Sequence, residues 1–224
     1  GLSFGDGGLT YRKGTRRVKF QLRGDLTEDK EHYNKYIIPL FNREVMFPIY
    51  KRKVGIVFNK SKNFYGLTVE SVKIEDYLNY LGIPSGVKKE LFLPDWIKDN
   101  KKNVIRFLRG FLDTDGTVSC QRNYSIKNNK YHTQIRIYLT STSKNLIKEI
   151  YQSLKLLGFK PLIYRINPPK ISRDGYKRKI AYKIGLAGGI QVNKWFGLIG
   201  SKNNKHITKY LIWKKFGFCP PYTK

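Results

Sequence analysis

The chain has 224 residues, of which 40% are hydrophobic and 14% aromatic, so it can bury one substantial core or two small ones. Its 44 Lys and Arg residues against 16 Asp and Glu residues give a formal net charge of +28, which favours a polyanionic partner such as nucleic acid. The sequence has no apolar run of about 18 residues and does not open on a leader pattern, so we expect no membrane partner.

The cysteines and histidines lack the spacing of metal sites. Cys120 and Cys219 have no His partners at zinc-site intervals, and we interpret them as core or boundary residues in a reducing compartment. His32, His132 and His206 are scattered, which favours surface or core positions over metal ligation.

The N-terminal stretch GLSFGDGGLTY has the pattern of a helix end that runs into an acid, Asp6, then glycines and a strand. The second arm of the following hairpin alternates with a period of two, which predicts a half-buried strand with a basic face. Its apolar face holds Val18, Phe20 and Leu22, and its polar face holds Arg17, Lys19, Gln21 and Arg23.

A helix is predicted next, over LTEDKEHYNKYIIPLF. Thr27 is its expected N-cap, acids occupy its first turn, and Pro39 is expected to interrupt its end. A second basic hairpin begins at Phe47, in FPIYKRKVGIVFNKSKNFYGLTVES, and a helix from Val72 to Leu81 follows it. The Gly- and Pro-rich stretch LGIPSGVKKELFLPDWI then predicts a linker.

The stretch FLRGFLDTDGTVS, residues 107–119, repeats the opening pattern, with Asp115 in the place of Asp6. After it come an alternating strand in TQIRIYLTST, a helix with Ser143 as its N-cap, and a basic hairpin from Pro161. The repeat predicts an α+β fold of two pseudo-symmetric αββαββα halves, each with a curved antiparallel sheet. We expect an N-terminal half over 1–83 with a truncated first helix, a linker over 84–99 and a C-terminal half over 100–224.

The two acids occupy equivalent helix ends, so pseudo-symmetry brings Asp6 and Asp115 together if the helices pack side by side. Gly1, Gly5 and Gly110 allow the close approach that this requires. Two carboxylates at helix C-termini repel each other and oppose the helix dipole, and a divalent cation relieves both costs. Hard oxygen ligands suit Mg²⁺, so paired acids beneath a basic sheet predict metal-assisted phosphodiester hydrolysis.

Each acid taken alone also has a simpler interpretation, because an Asp before Gly is common in turns. The repetition of the acid in matched context favours the functional interpretation for Asp6 and Asp115. Asp113 is interpreted as a cap or structural residue, because Phe4 holds its place in the first copy.

The motif LRGFLDTDG, residues 108–116, resembles the LAGLIDADG motif of homing endonucleases, and GLSFGDGG resembles its partner copy. LGIPSGVKK and IGSKNNKHITKYLIWKKFGF resemble segments of archaeal intron-encoded members and of intein endonuclease domains. The resemblance implies a monomer in which the two LAGLIDADG helices form the central interface and the sheets form a saddle over the DNA major groove. It also implies a cytoplasmic, nucleoid-associated archaeal protein with no obligate protein partner.

The same resemblance implies the site. Asp6 and Asp115 would hold the catalytic divalent ions beneath the two scissile phosphates, and the carbonyls of Gly5 and Thr114 would add ligands. Mg²⁺ is the expected cofactor; Mn²⁺ can substitute, and Ca²⁺ can bind without supporting cleavage. The expected product is a staggered double-strand break with 3′ overhangs at a long target site.

Basic and polar residues around the acids are expected to complete the site, but no lysine aligns clearly with the central lysine of the family. The candidates therefore stay open. They are Lys19, Gln21 and Arg23 in the first half, and Thr142 and Lys144 in the second.

Side chains along the strand faces are predicted to contact double-stranded DNA, because Arg and Lys can pair with guanine edges and Gln or Asn with adenine. The candidates are Arg12, Arg17, Lys19, Gln21, Arg52, Lys53, Asn59, Lys62, Gln134, Arg136, Tyr138, Lys179 and Lys183. Phosphates take half or more of protein–DNA hydrogen bonds, so about half of these residues are expected to position the duplex without reading its sequence.

Other functions compete with the endonuclease. An RNA maturase that folds its host intron RNA, or a non-catalytic DNA-binding regulator on the same scaffold, would explain the charge, but such descendants often lose an acid and both acids are present here. A generic basic binding module predicts neither paired acids nor a repeat. The sequence shows no splicing block with an N-terminal Cys or a C-terminal His-Asn, which favours a free-standing protein over an intein domain.

Overall fold

A computed structural model describes residues 1–11, 18–83, 90–125, 130–167, 179–220 and 223, with the side chains of residues 11, 121–125 and 130–132 left undescribed. Within these ranges, no helix combines the length and the apolar character that a membrane span requires.

The first half contains a four-stranded antiparallel sheet in the order β1-β2-β4-β3. Its strands are β1 (Gly7–Tyr11), β2 (Val18–Asp25), β3 (Val57–Asn59) and β4 (Phe64–Glu70). The alternation in β2 is as predicted: Val18, Phe20 and Leu22 are buried, whereas Lys19 and Gln21 are only half-buried. One face of this sheet therefore packs on the core and the other carries the polar residues.

An uninterrupted helical segment, residues 30–50, connects the two hairpins of the first half. It consists of α1 (Lys30–His32), a π-helical turn (Tyr33–Ile37), α2 (Ile38–Phe41), a second π-helical turn (Asn42–Met46) and α3 (Phe47–Tyr50). Each π-helical turn directly precedes an α-turn that contains a proline, Pro39 or Pro48. Proline lacks an N–H and its ring crowds the carbonyl four residues earlier. The wider π-helical turns accommodate that clash, so the helix continues past both prolines.

Three details of the sequence prediction are wrong here. Pro39 does not end the helix, and the second hairpin begins at β3, well after Phe47. Thr27 is not the N-cap, because α1 begins after Asp29. Instead, Asp25 Oδ1 accepts hydrogen bonds from the backbone N–H of Thr27 at 2.8 Å and of Glu28 at 2.9 Å. These bonds close the turn before the helix and hold the pKa of Asp25 below its usual range.

Two short helices join the halves, α4 (Val72–Tyr80) and α5 (Asp95–Lys98). The second half then has the complete predicted order of elements. These are α6 (Lys101–Asp115), β5 (Gly116–Ser125), β6 (Lys130–Ser141), α7 (Lys144–Leu156), β7 (Leu162–Ile166), β8 (Ala181–Ala187), α8 (Gly189–Leu198) and a further helix, α9 (Asn204–Phe216). The predicted N-cap Ser143 is confirmed, since its Oγ accepts a hydrogen bond from Leu146 N at 3.3 Å.

The second sheet has the strand order β5-β6-β8-β7, the same connectivity as the first. Ile135, Ile137 and Leu139 on β6 are buried, as the alternation predicts. A continuous core of buried apolar residues runs through the described parts of both halves. The predicted α+β architecture of two pseudo-symmetric halves is thus confirmed.

Candidate metal and nucleic-acid site

The two halves meet where the N-terminal turn packs against α6. Residues 2–6 form one helical turn, in which Gly5 N donates to Gly1 O at 3.1 Å. A Cβ at Gly110 would lie 3.3 Å from the Cα of Gly1, and a Cβ at Gly1 would overlap the carbonyl of Phe107. The Phe4 and Phe107 rings pack edge to face across this contact at 5.4 Å. Only residues without side chains fit between these backbones, and this brings the two acid-bearing ends together.

The ends of the turn and of α6 lie side by side at Gly5. A Cβ at Gly5 would overlap the Thr114 side chain and would lie 3.3 Å from the carboxyl carbon of Asp115. Asp6 follows Gly5 directly, and the charge of Asp115 contributes to the pKa of Asp6. The structure therefore brings together the four predicted metal-site residues.

Asp6 is partly buried and has a specific partner. The hydroxyl of Tyr33 donates a hydrogen bond to Asp6 Oδ2 at 2.9 Å. Burial raises the pKa of Asp6 from its ordinary 3.8 to about 7, with further upward contributions from the charges of Asp115 and Asp29, while the Tyr33 hydrogen bond opposes the shift. The carboxylate form is therefore costly at neutral pH, which is the condition that a bound cation relieves.

Asp115 occupies a different environment. It is the last residue of α6, its side chain is exposed, and it lines an open cleft of about 260 Å³ together with Gly5 and the end of β6. Thr140 and Ser141 at the end of β6 and the next residue, Thr142, line the cleft, so the structure brings the predicted peripheral residue Thr142 to it.

The donor set fits a hard divalent cation. Asp6 and Asp115 lie at the ends of two adjoining helical turns, and the charge of Asp115 acts on Asp6. The last carbonyls of a helix point out of its end, towards a possible ligand. Carboxylate and carbonyl oxygens are the ligands that Mg²⁺ prefers, and its remaining positions are usually taken by water and substrate phosphate. The described part of the chain contains no group of three or more His, Cys, Asp or Glu side chains that could form an all-protein cage. The arrangement thus suits an ion that shares its coordination with a bound phosphate.

The other peripheral candidates do not line the Asp115 cleft as Thr142 does. The backbone N–H of Arg23 donates to Asp6 O at 3.3 Å, but the guanidinium lies over the Phe64 ring, 4.5 Å from its centroid. Lys144 is exposed at the start of α7 and does not line the Asp115 cleft. Lys19 and Gln21 lie on the polar face of β2, and Lys19 pairs across the ladder with Glu70.

The first basic surface differs in detail from its prediction. Arg52 and Lys53 are exposed in the loop before β3, not on a strand, and the Arg52 guanidinium lies 5.3 Å from the Tyr50 ring centroid. Asn59 Oδ1 accepts the Lys62 N–H at 2.9 Å, so the turn of the β3–β4 hairpin occupies this oxygen and Lys62 is exposed at its tip. The predicted Arg12 and Arg17 lie outside the described residues.

The second basic surface is a connected row on the polar face of β6 and β8. Gln134 Oε1 accepts from Arg136 Nε at 3.0 Å, and Arg136 Nη1 donates to Tyr138 Oη at 3.0 Å. The Lys183 ammonium lies 4.6 Å from the Tyr138 ring centroid. Lys179 is exposed just before β8. These contacts hold the predicted side chains on one face and fix their mutual orientation.

Asp113 points away from the paired acids into a network between the halves. It is 2% exposed and accepts hydrogen bonds from Ser201 Oγ and from the backbone N–H of Lys202 and Asn203. Next to it, His32 Nδ1 contacts Lys202 O at 3.0 Å. These contacts agree with the structural interpretation of Asp113 and place His32 in the interior.

Comparison with known proteins finds a family match within the second half. Residues 102–187 match the family model described as a LAGLIDADG-like domain, and the matched range contains the motif that ends at Asp115. The first motif, which ends at Asp6, lies outside the matched range. No protein with a curated description has a significant sequence match to the chain.

Solved structures extend the likeness from the LAGLIDADG-like domain to most of the chain. A mesophilic variant of the homing endonuclease I-DmoI matches with a TM-score of 0.58 at 20% identity, covering 88% of this chain and 86% of that one. I-DmoI in complex with DNA and Mn matches with a TM-score of 0.58 at 21% identity, and the match covers 89% of this chain and 92% of that one. A mutant of I-SmaMI matches with a TM-score of 0.57 at 12% identity, and the match covers 96% of this chain and 86% of that one. The chain therefore has the LAGLIDADG homing endonuclease fold.

Sequence reasoning missed Tyr33. It lies in a predicted helix whose sequence contains no site motif, and nothing in the local pattern distinguishes it from the other aromatic residues of that helix. Its relation to Asp6 is created by packing of the helix against the sheet, so no local pattern could have indicated it.

The raised pKa of Asp6 makes a prediction about stability. The folded-state pKa of about 7 exceeds the ordinary 3.8, so ionisation penalises the folded state as pH rises through this window and the full penalty is present above pH 7. In EDTA at pH 8, we expect Asp6→Asn to raise the free energy of unfolding by about 2–4 kcal/mol. At pH 4 this gain should vanish.

Urea unfolding at the two pH values measures this difference. Asp76→Asn, which neutralises an exposed carboxylate on α4, serves as the matched control and should change little. Equal free energies of unfolding for the parent and Asp6→Asn at pH 8 would show that ionised Asp6 does not destabilise the metal-free protein.

Proposed function

We propose that this protein is a site-specific DNA endonuclease of the homing type, which makes a divalent-metal-dependent staggered double-strand break at a long target site and leaves 3′ overhangs. The observation that carries the proposal is the meeting of Asp6 and Asp115 across the glycine contact between the N-terminal turn and α6. Two acids from two halves match the two phosphodiester bonds of a duplex.

In this proposal, Asp6 and Asp115 are the carboxylate ligands, and the carbonyls of Gly5 and Thr114 add oxygen atoms. A bound Mg²⁺ supplies Lewis-acid stabilisation of the phosphate and lowers the pKa of a coordinated water. Thr142 lines the Asp115 cleft and can orient that water. Arg23 and Lys144 are proposed to act after their side chains turn towards bound DNA, because in the free protein the Arg23 guanidinium lies over the Phe64 ring and Lys144 is exposed at the start of α7.

The two sheets are proposed to form the DNA-binding surface, through the polar row on β6 and β8 and the basic residues of the first half. The formal net charge of +28 provides the electrostatic attraction to the duplex. I-DmoI has been crystallised with its target DNA in the presence of Mg, and with DNA and Mn or Ca. That precedent supports a DNA partner, Mg²⁺ as cofactor and Mn²⁺ and Ca²⁺ as ions that the site can bind. We also propose that the protein is monomeric, intron-encoded and archaeal, and that it associates with the nucleoid.

Cleavage of a randomised-target plasmid library in Mg²⁺, with sequencing of the cut ends, tests the proposal. Staggered ends at one long, reproducible sequence, lost when EDTA replaces Mg²⁺, are the expected result. Intact plasmid despite tight DNA binding would overturn the endonuclease and favour an RNA maturase or a DNA-binding regulator on this scaffold.

Salt dependence makes a separate prediction about binding. If the protein neutralises about 8 phosphates, log K for DNA binding should fall with a slope of about 7 against log salt concentration, because each neutralised phosphate releases condensed counterions. Fluorescence anisotropy with a labelled duplex in Ca²⁺ between 50 and 300 mM KCl, roughly the range in which such slopes are measured, provides the data. A binding constant that does not change with salt concentration would exclude nucleic acid as the partner.

A further inference from the structure

The two candidate acids are held by different partners. Asp6 Oδ2 accepts a hydrogen bond from the buried hydroxyl of Tyr33 at 2.9 Å. Asp115 lies exposed at an open cleft between Gly5 and the end of β6. Pseudo-symmetry of the fold therefore does not extend to the surroundings of the carboxylates.

The helices that follow the second strand of each half differ at the position of Tyr33, counted from the helix start. Tyr33 is the fourth residue of the helical segment that begins at Lys30 after Asp29, and Ile147 is the fourth residue of α7, which begins at Lys144 after Ser143. Ile147 is buried and has no polar atom on its side chain. The second half thus lacks a phenol at the position from which Tyr33 reaches Asp6.

The Tyr33 side chain is fixed by its surroundings. It is 0% exposed, its ring packs edge to face on Tyr65 at 6.4 Å, and a Cβ at Gly24 would lie 2.6 Å from its ring. It begins a π-helical turn, a departure from regular helix that is frequent at functional sites. The phenol O–H is a donor, and the carboxylate oxygen of Asp6 accepts it. Tyr33 can therefore hold one oxygen of Asp6 in a constant place.

We propose that Tyr33 is a positioning residue for Asp6, which orients one carboxylate oxygen towards the metal and makes the two cleavage centres unequal. This inference rests on the proposed endonuclease function. The Tyr33 hydroxyl occupies Oδ2, which leaves Oδ1 for the ion. Asp115 is oriented by other contacts, so removal of the phenol hydroxyl should affect one strand of the target and spare the other.

Strand-resolved cleavage of a supercoiled plasmid that carries the selected target tests this. Tyr33→Phe should slow cleavage of one strand about tenfold, because a hydrogen bond to a charged group contributes about that factor, while the other strand is cut at the parental rate. Nicked circles should accumulate before the linear product, and the Mg²⁺ concentration for half-maximal rate should rise for the slow strand alone.

Tyr65→Phe is the matched control. Its hydroxyl donates to Asn34 Oδ1 at 2.6 Å and its ring contacts Tyr33, but it does not contact Asp6. This variant should leave the ratio of the two strand rates unchanged. Equal slowing of both strands by Tyr33→Phe, or the same ratio in both variants, would overturn the positioning role.

Mn²⁺ binding by the free protein, followed by electron paramagnetic resonance, separates this inference from the proposed activity. Tyr33→Phe should weaken the binding of one Mn²⁺ about tenfold, and Tyr65→Phe should not. If the parent protein cuts no DNA, the proposed endonuclease function is wrong. The Mn²⁺ titration still tests whether Tyr33 positions Asp6. Unchanged Mn²⁺ affinity in Tyr33→Phe would overturn the inference whatever the cleavage result.

Discussion

Asp115→Asn and Asp6→Asn should each lower double-strand cleavage by about 10³-fold or more while leaving DNA affinity within about threefold of the parent. An amide in either position removes a charged ligand from the proposed metal site, and several kcal/mol of transition-state stabilisation depend on that charge. The proposed base and phosphate contacts lie on the sheets, so binding should persist. Plasmid cleavage in Mg²⁺ and anisotropy in Ca²⁺ measure the two quantities separately.

Asp76→Asn provides the control for the loss of one negative charge, since Asp76 is exposed on α4. It should cleave at the parental rate. Parental cleavage by Asp115→Asn would contradict its role as a ligand, and lost binding by a variant with a normal unfolding transition would place the acids in DNA recognition instead.

Asp113→Ala should destabilise the fold by about 3 kcal/mol, which corresponds to a fall in Tm of roughly 6–12 °C for a chain of this size. The substitution removes a 2% exposed carboxylate that accepts from Ser201 Oγ and from the backbone N–H groups of Lys202 and Asn203, although Asn203 N keeps a second acceptor, Ser201 Oγ at 3.1 Å. Asn203 also donates through Nδ2 to the carbonyl of Asp113 at 3.1 Å, so the loop before α9 is tied to α6 from both sides.

Thermal unfolding of three variants distinguishes this network from a general effect of losing a carboxylate. Ser201→Ala removes one donor and should cost about 1 kcal/mol. Asp76→Ala, on the exposed face of α4, should stay within about 0.5 kcal/mol of the parent. If Asp113→Ala unfolds at the same temperature as Asp76→Ala, the network does not stabilise the contact between α6 and the loop before α9.

Much of the architecture could be predicted from short-range patterns. The period of two in β2 and β6 reflects a sheet with one buried face, and this alternation is a local property that the structure reproduces at Val18, Phe20 and Leu22. The Ser143 cap is equally local, since its partner Leu146 lies three residues away. The repeat of an acid after an apolar helix end pointed to both Asp6 and Asp115.

The helical segment 30–50 could not be predicted in the same way. Pro39 and Pro48 are strong helix-breaking signals, yet two π-helical turns carry the helix past both of them. Burial of Ile37, Phe41 and Met46 in the core stabilises this irregular helix, and that burial requires the sheet on which the helix packs. Tertiary packing therefore outweighs the local preference.

Local sequence patterns were sufficient to predict the basic charge, the strand faces, the duplicated acid motif and the glycines that let the motifs approach. The groups around each acid depend on long-range packing: Tyr33 on Asp6, the β6 end beside Asp115, and residues 201–203 on Asp113. These contacts join residues that are far apart in the chain and belong to no repeating pattern. They arise when helices and sheets pack at a fixed geometry, and that geometry gives two acids of identical motif position different environments.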